Sequence, residues 1–169
     1  MRGIAKEVGI TPMAIYRHYE SKQALVDALV LDALGEWSRR VAAIPRAPPL
    51  EWLRKLGEAH LEFALRRPRR YEAAFLIRSR KARRYPNDFI AGRSPAGALQ
   101  MELIAELMAQ GVLKAGSPIE IMIANAALSQ GLITLYRAGR IAGGEAEFRD
   151  LYLRATERGM ASFFVEKNK

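Results

Sequence analysis

Apolar side chains recur along this chain at intervals of three and four residues, with charged and polar side chains between them, and no stretch alternates strictly. That period is helical, so the expected fold class is all-α. The clearest run is Leu53, Leu56, His60, Leu61 and Ala64, one face of a helix predicted over residues 50–67, with Trp52 and Phe63 flanking it. Pro68 ends it. Ahead of it, Leu25, Ala28, Leu29, Leu34, Trp37 and Val41 form the apolar side of a long helix over residues 22–43, capped by Ser21 and followed by a stiff joint at Pro45, Pro48 and Pro49. Behind it, a shorter helix is predicted over residues 69–79, bringing Tyr71, Phe75 and Leu76 inward, and then a loop or irregular segment over residues 80–94. Ser94 and Pro95 restart a helix that Gly111 closes. Ser117, Pro118 and Glu120 have the spacing of a capping box and open a helix to about residue 138. Beyond a turn at Gly139, Gly143 and Gly144, a last helix is predicted over residues 145–165, and residues 167–169 are expected to fray.

The amino-terminal stretch carries the most specific pattern. Ile4, Ala5 and Val8 repeat at helical spacing, so a first helix spans residues 2–8. Gly9 suits a left-handed turn, Thr11 suits a cap and Pro12 suits the first helical position, so a second helix starts at Pro12. On that helix Ile15 and Tyr19 are predicted to face inward with Ile4, Ala5, Val8 and Ile10. Pro12, Met13, Ala14, Arg17 and His18 occupy the other face. Helix, turn and helix suit a major groove, since the exposed face is small and apolar at its start and basic further on. Such pairs also serve as plain structure, and spacing alone leaves both readings open.

Ile4, Ala5, Gly9, Ile10, Ile15, Tyr16, His18, Tyr19, Lys22 and Leu25 together resemble the DNA-binding segment of the TetR family of transcriptional repressors. The resemblance implies a DNA-binding head over residues 1–30 and a helical ligand-binding and dimerisation body over residues 31–169. Family heads have a further helix ahead of these two. The head is therefore expected to be truncated and loose, and Met1 to be an internal residue of a longer protein.

By matching positions, Arg2, Pro12, Met13, Ala14 and Arg17 are implied to read bases, with discrimination leaning on Arg2 and Arg17. Thr11, Tyr16, His18 and Lys22 are implied to hold phosphates. The last two helices are implied to pair with a second copy through Ile119, Ile123, Ala127, Gln130, Thr134, Phe148, Tyr152 and Phe163, and a twofold dimer implies a short palindromic target in double-stranded DNA. A hydrophobic effector of unspecified identity is implied to enter a cavity lined by Trp52, His60, Phe63, Tyr71, Phe75, Met101, Ile104 and Met108, and to release the repressor by spreading its heads.

Charge adds a puzzle. The chain holds 27 basic against 18 acidic residues, which suits a polyanionic partner. Yet residues 1–30 carry a net of only one positive charge. Residues 66–84 hold Arg66, Arg67, Arg69, Arg70, Arg78, Arg80, Lys81, Arg83 and Arg84 against Glu72 alone. A solvated helix end, an attractive field near DNA and a dock for anionic ligands all fit that stretch.

With no cysteine there is no disulfide framework or thiolate chemistry. The two histidines fall on different predicted helices, and neither a metal-ligand spacing nor a glycine-rich phosphate loop occurs, so no enzyme, metal or cofactor is expected. Apolar stretches read as broken by charge, which argues against a membrane span, and no leader pattern is visible; a cytoplasmic protein is expected. The competing class is a helical dimer that binds ligands or proteins and has lost DNA binding.

Overall fold

The computed structural model describes residues 1–166. Nine helices and no strand occur among them. α1 (Arg2–Glu7) and α2 (Pro12–Tyr16) form the amino-terminal pair. Gly9 turns between them at φ 69°, a conformation a Cβ would strain. The Thr11 hydroxyl accepts from the Ala14 amide at 3.2 Å, so the cap forms as the sequence predicts. Ala5 and Ile15 seal the line where the two helices meet. Ile4, Val8 and Ile10 were expected to face inward with them, and they are exposed instead. Helices of six and five residues share a contact line too short to cover more than one side chain from each.

α3 (Lys22–Ala42) carries this pair into the body, its first turn capped by Ser21, whose hydroxyl accepts from the Ala24 amide at 3.0 Å. α4 (Pro49–Arg66) and α5 (Pro68–Phe75) pack against it. The main core gathers Ala33 of α3, Leu61, Phe63 and Ala64 of α4, and Tyr71, Ala73 and Ala74 of α5, and is closed by Ile133, Phe148 and Tyr152. A buried aromatic of this kind stabilises by roughly 1.5–3 kcal/mol relative to leaving it exposed. α5 ends four residues before the predicted boundary, and Leu76 is exposed rather than inward. The amides of Leu76 and Ile77 both turn to the Glu72 carbonyl, at 2.8 and 3.0 Å, and the chain leaves the helix to reach Asp27 on α3.

The expected loop contains a short helix, α6 (Asn87–Ile90), whose Phe89 packs into a second core. Gly97, in α7 (Pro95–Ala109), lies against that ring: a Cβ there would come within 2.6 Å of Phe89. The second core joins Ile104 and Leu107 of α7 to Leu113, Ile121 and Met122.

α8 (Pro118–Arg137) starts without the predicted capping box, since the Ser117 side chain makes no cap bond and only its carbonyl accepts from Glu120 N at 3.0 Å. A carboxylate cap forms instead at α9 (Glu145–Ala161), where Glu147 accepts from the Gly144 amide at 3.0 Å. α9 ends four residues short of its predicted end because the chain peels away to pair with residues 112–114. Lys114 N donates to Phe163 O at 2.8 Å, and Val165 N to Val112 O at 3.1 Å. Residues 167–169, expected to fray, lie outside the described residues.

α8 departs from the expectation that charge breaks every apolar stretch. No charge falls between residues 121 and 136, and by length and composition this helix is long and apolar enough to cross a membrane. Of its side chains only Ile121, Met122 and Ile133 are buried within the subunit.

Candidate nucleic-acid interface and ligand cavity

With Ala5 and Ile15 turned inward, the outer face of α2 is free. Met13 is 66% and Tyr16 49% exposed, and Arg2, Thr11, Arg17, His18 and Lys22 are exposed as well. Pro12 and Ala14 are half-buried. All nine residues expected to touch DNA are therefore accessible. Arg17 and Lys22 bracket the carboxyl end of α2, while Arg2 opens α1.

The basic stretch divides in two. Its first part is paired: Arg66 with Glu145 at 3.1 Å, Arg67 with Glu36 at 3.7 Å, Arg69 with Glu72 at 3.9 Å, and Arg70 with Asp32 and Glu36. Arg80 pairs with Asp27 at 2.9 Å. Asp27 is buried on α3 and also accepts from the Ser79 hydroxyl at 2.6 Å, from Arg80 N at 3.2 Å and from Gln23 Nε2 at 2.8 Å. The Ser79 bond chiefly, with help from Gln23 and Arg80, holds its carboxyl down at about 2. Arg78, Lys81, Arg83 and Arg84 are exposed and make no ion pair among the described residues.

A cavity of about 1060 Å³ opens between α3, α4, α7, α8 and α9. Trp37, Leu56, Phe75, Tyr85, Phe89 and Met122 supply apolar lining, and Asn125, Ser129 and Gln130 of α8 with Thr156 of α9 a polar strip. Of its charged members, Glu51, Arg54, Arg83 and Glu157 are exposed, and Glu58 is half-buried and paired with Arg54.

Of the side chains expected to line such a space, His60 and Phe75 do so. Phe63, Tyr71 and Ile104 are packed in the two cores and Trp52 in a smaller cluster with Val41 and Leu56, while Met101 and Met108 pack against the second core, away from the cavity wall. Helical period marks an apolar face without telling core from cavity. The polar strip was legible in principle, because Asn125, Ser129 and Gln130 interrupt an apolar run.

His60 is the one buried polar side chain in this wall. Burial lowers its pKa to about 4, so the ring is neutral near pH 7. Its Nδ1 lies 3.4 Å from the Tyr152 hydroxyl, and that hydroxyl donates to the Gly57 carbonyl at 3.2 Å. The Tyr152 oxygen is then the acceptor, so the network assigns the proton to Nδ1 and leaves Nε2 an acceptor. Trp37, Tyr71 and Phe75 surround the ring edge-on, with centroids at 5.5, 5.2 and 5.2 Å.

The residues expected at a dimer interface separate too. Ile123, Ala127 and Thr134 are exposed along α8. Gln130 is half-buried and lines the cavity, which Ile123 also borders. Ile119 and Phe163 pack against the second core. Phe148 and Tyr152 are both 0% exposed in the subunit's own core, so they have no surface to offer a partner. Phe148 instead stacks on Tyr136 of α8, ring planes 1° apart and centroids 4.0 Å apart.

Residues 1–29 match the family model described as bacterial regulatory proteins, tetR family, and residues 53–160 match the tetracyclin repressor-like, C-terminal domain. Among solved structures the chain is similar to a protein of unknown function from Rhodococcus sp. RHA1, with TM-score 0.68 and 22% identity over 97% of this chain and 84% of that one. It is also similar to a TetR family protein from Vibrio parahaemolyticus, with TM-score 0.66 and 18% identity over 98% of this chain and 86% of that one. At such identities the likeness is one of fold. No curated protein matches the chain.

Proposed function

We propose, from the premise that this chain belongs to the TetR family of DNA-binding transcriptional regulators, that it is a repressor which grips a short palindromic operator as a homodimer and lets go when a small molecule fills its cavity. Residues 1–30 act as the DNA-binding head and residues 31–169 as the ligand-binding and dimerisation body. The observation that carries this reading is the sidedness of the amino-terminal pair: Ala5 and Ile15 are sealed, while Arg2, Met13, Tyr16, Arg17, His18 and Lys22 all face solvent. Arg2 and Arg17 donate to guanine edges, Pro12, Met13 and Ala14 shape the apolar floor against thymine methyls, and Thr11, Tyr16, His18 and Lys22 fix register on phosphates.

Dimerisation is supported by α8. A helix without charge between residues 121 and 136 that leaves Ile123, Ala124, Ala127, Gly131 and Leu135 exposed has an apolar face for a partner, and its small side chains permit close approach. The twofold axis then sets two α2 helices about 34–36 Å apart, one turn of the duplex.

The cavity supports an effector that is largely apolar with one hydrogen-bonding edge, because its mostly apolar lining carries one strip of Asn125, Ser129, Gln130 and Thr156, and the neutral His60 ring offers an acceptor. Trp37 ties the cavity wall to α3, the helix that carries the head. An effector releases DNA only in so far as it favours the spread arrangement, and moving the balance from 1:99 to 99:1 takes about 10⁴-fold preference. Selection of bound duplexes from a random pool tests the reading. An inverted repeat is expected, with Arg17→Ala relaxing one position of each half-site at a cost of about 1–3 kcal/mol. Recovery of no preferred sequence would favour the module that has lost DNA binding.

A further inference from the structure

The paired and unpaired halves of the basic stretch occupy different ends of the body. α5 runs antiparallel to α3: Arg67 and Arg70 face Glu36, while Ser79 and Arg80 face Asp27, nearer the start of α3. The chain after α5 thus descends toward the end of α3 that carries α2. It then turns back, since Arg83 lines one recess with Leu31, Leu34 and Ser38, farther along α3. Asp27 fixes the turn with four protein bonds to Ser79 and Arg80, including Nε at 3.0 Å and Nη2 at 2.9 Å, and the Ser79 hydroxyl in turn accepts from Lys81 N at 3.0 Å. Asp27 is five positions beyond Lys22, about 7.5 Å along the helix axis. Arg78 and Lys81, on either side of the fixed pair, are exposed and unpaired among the described residues, as is Arg84.

The head itself carries a net of only one positive charge over residues 1–30, whereas a duplex presents one phosphate charge about every 1.7 Å. We propose that the turn at residues 78–81 is a second phosphate contact, in which Arg78 and Lys81 hold the backbone of duplex DNA flanking each half-site. The buried Asp27 and its partner Arg80 are the positioning pair that aims them. This inference rests on the DNA-binding reading above and adds to it a site outside the helix pair. It also accounts for the division of the basic stretch: cations at the far end of the body are tied to carboxylates, while at the head end only Arg80 is tied and Arg78 and Lys81 beside it are left available.

The test is the salt dependence of operator binding by the full chain. Each phosphate contact contributes about 0.9 to the slope of log affinity against log salt. Removing Arg78 and Lys81 as Arg78→Gln/Lys81→Gln in both subunits is expected to flatten the slope by about two to four and to weaken the operator and an unrelated duplex alike. Arg69→Gln/Arg140→Gln removes the same charge from exposed positions at the opposite end of the body and is expected to change the slope by less than about one. In a second arm, the wild-type chain on a duplex trimmed to the bare palindrome is expected to show the flattened slope without any substitution. Equal effects from both pairs would overturn the inference in favour of a diffuse field, and so would a tip variant or a trimmed duplex that behaves like the wild-type complex. A wild-type chain that shifts no duplex at any salt concentration would instead overturn the regulator reading, and this inference with it.

Discussion

Asp27 and Arg80 stand 53 positions apart in the chain, and the guanidinium of one lies 2.9 Å from the carboxylate of the other, joining the helix that carries the head to the segment that leaves α5. The carboxyl is held at about 2, below its ordinary 3.8, so its contribution to stability is present above pH 3.8 and lost as pH falls from there toward 2. Asp27→Ala is expected to raise hydrogen exchange at the Arg80 amide at least tenfold at pH 6, leaving amides in the middle of α4 unchanged. The wild-type chain should reach the same local loosening only on acidification below about pH 3. Unchanged exchange at Arg80 would mean the turn is held by something else.

His60 acts with the opposite sense of charge. It is neutral when folded and takes a proton when unfolded between about 4 and its ordinary 6.5, so the unfolded state binds more protons there and stability rises with pH across that window. Lowering the pH from 7.5 to 5 is expected to cost roughly 2 kcal/mol through this ring alone. Urea unfolding of His60→Leu should lose that share of the pH dependence, whatever its absolute stability; a slope equal to the wild type's would show that the ring is not buried neutral.

The Tyr71 hydroxyl is buried and has no hydrogen-bond partner among the described residues. Burial raises its pKa well above the usual tyrosine range. A buried hydroxyl without a partner costs about 1–3 kcal/mol of desolvation. Tyr71→Phe is therefore expected to leave stability unchanged or raise it by up to about 1 kcal/mol, read as an equal or higher thermal midpoint. A loss of more than about 1 kcal/mol would show that the hydroxyl is satisfied in solution.

On α8, Ala127 and Gly131 are exposed one turn apart on the apolar face. A carboxylate at either position would be desolvated against its symmetry mate. Ala127→Glu and Gly131→Glu are expected to sediment as folded single subunits with near wild-type helical content, and to weaken operator binding at least a hundredfold. Wild-type assembly by both variants would move the interface elsewhere.

Much of the fold was legible because its signals are local. Gly9, Thr11 and Pro12 determine the first turn within three residues, and Ser21 caps α3 from the adjacent position. The errors fall where distant contacts decide. Phe148 and Tyr152 were assigned to an interface because the resemblance implies pairing through the last two helices, but their apolar stripe meets Tyr136 and His60 of the same subunit. The end of α5 depended on Asp27, 52 positions from Ser79. Phe63 and Tyr71 were placed in a cavity wall and lie in the core, a distinction set by how five helices pack rather than by any one of them.

In the proposed complex one dimer holds two amino-terminal helix pairs at the pitch of the duplex. Sedimentation of the chain with its selected palindrome, and with the same palindrome carrying five extra base pairs between half-sites, measures this most directly. The expected result is two chains per duplex on the first and loss of specific binding on the second, since half a helical turn puts the half-sites on opposite faces. One chain per duplex, or binding indifferent to the insertion, would contradict it.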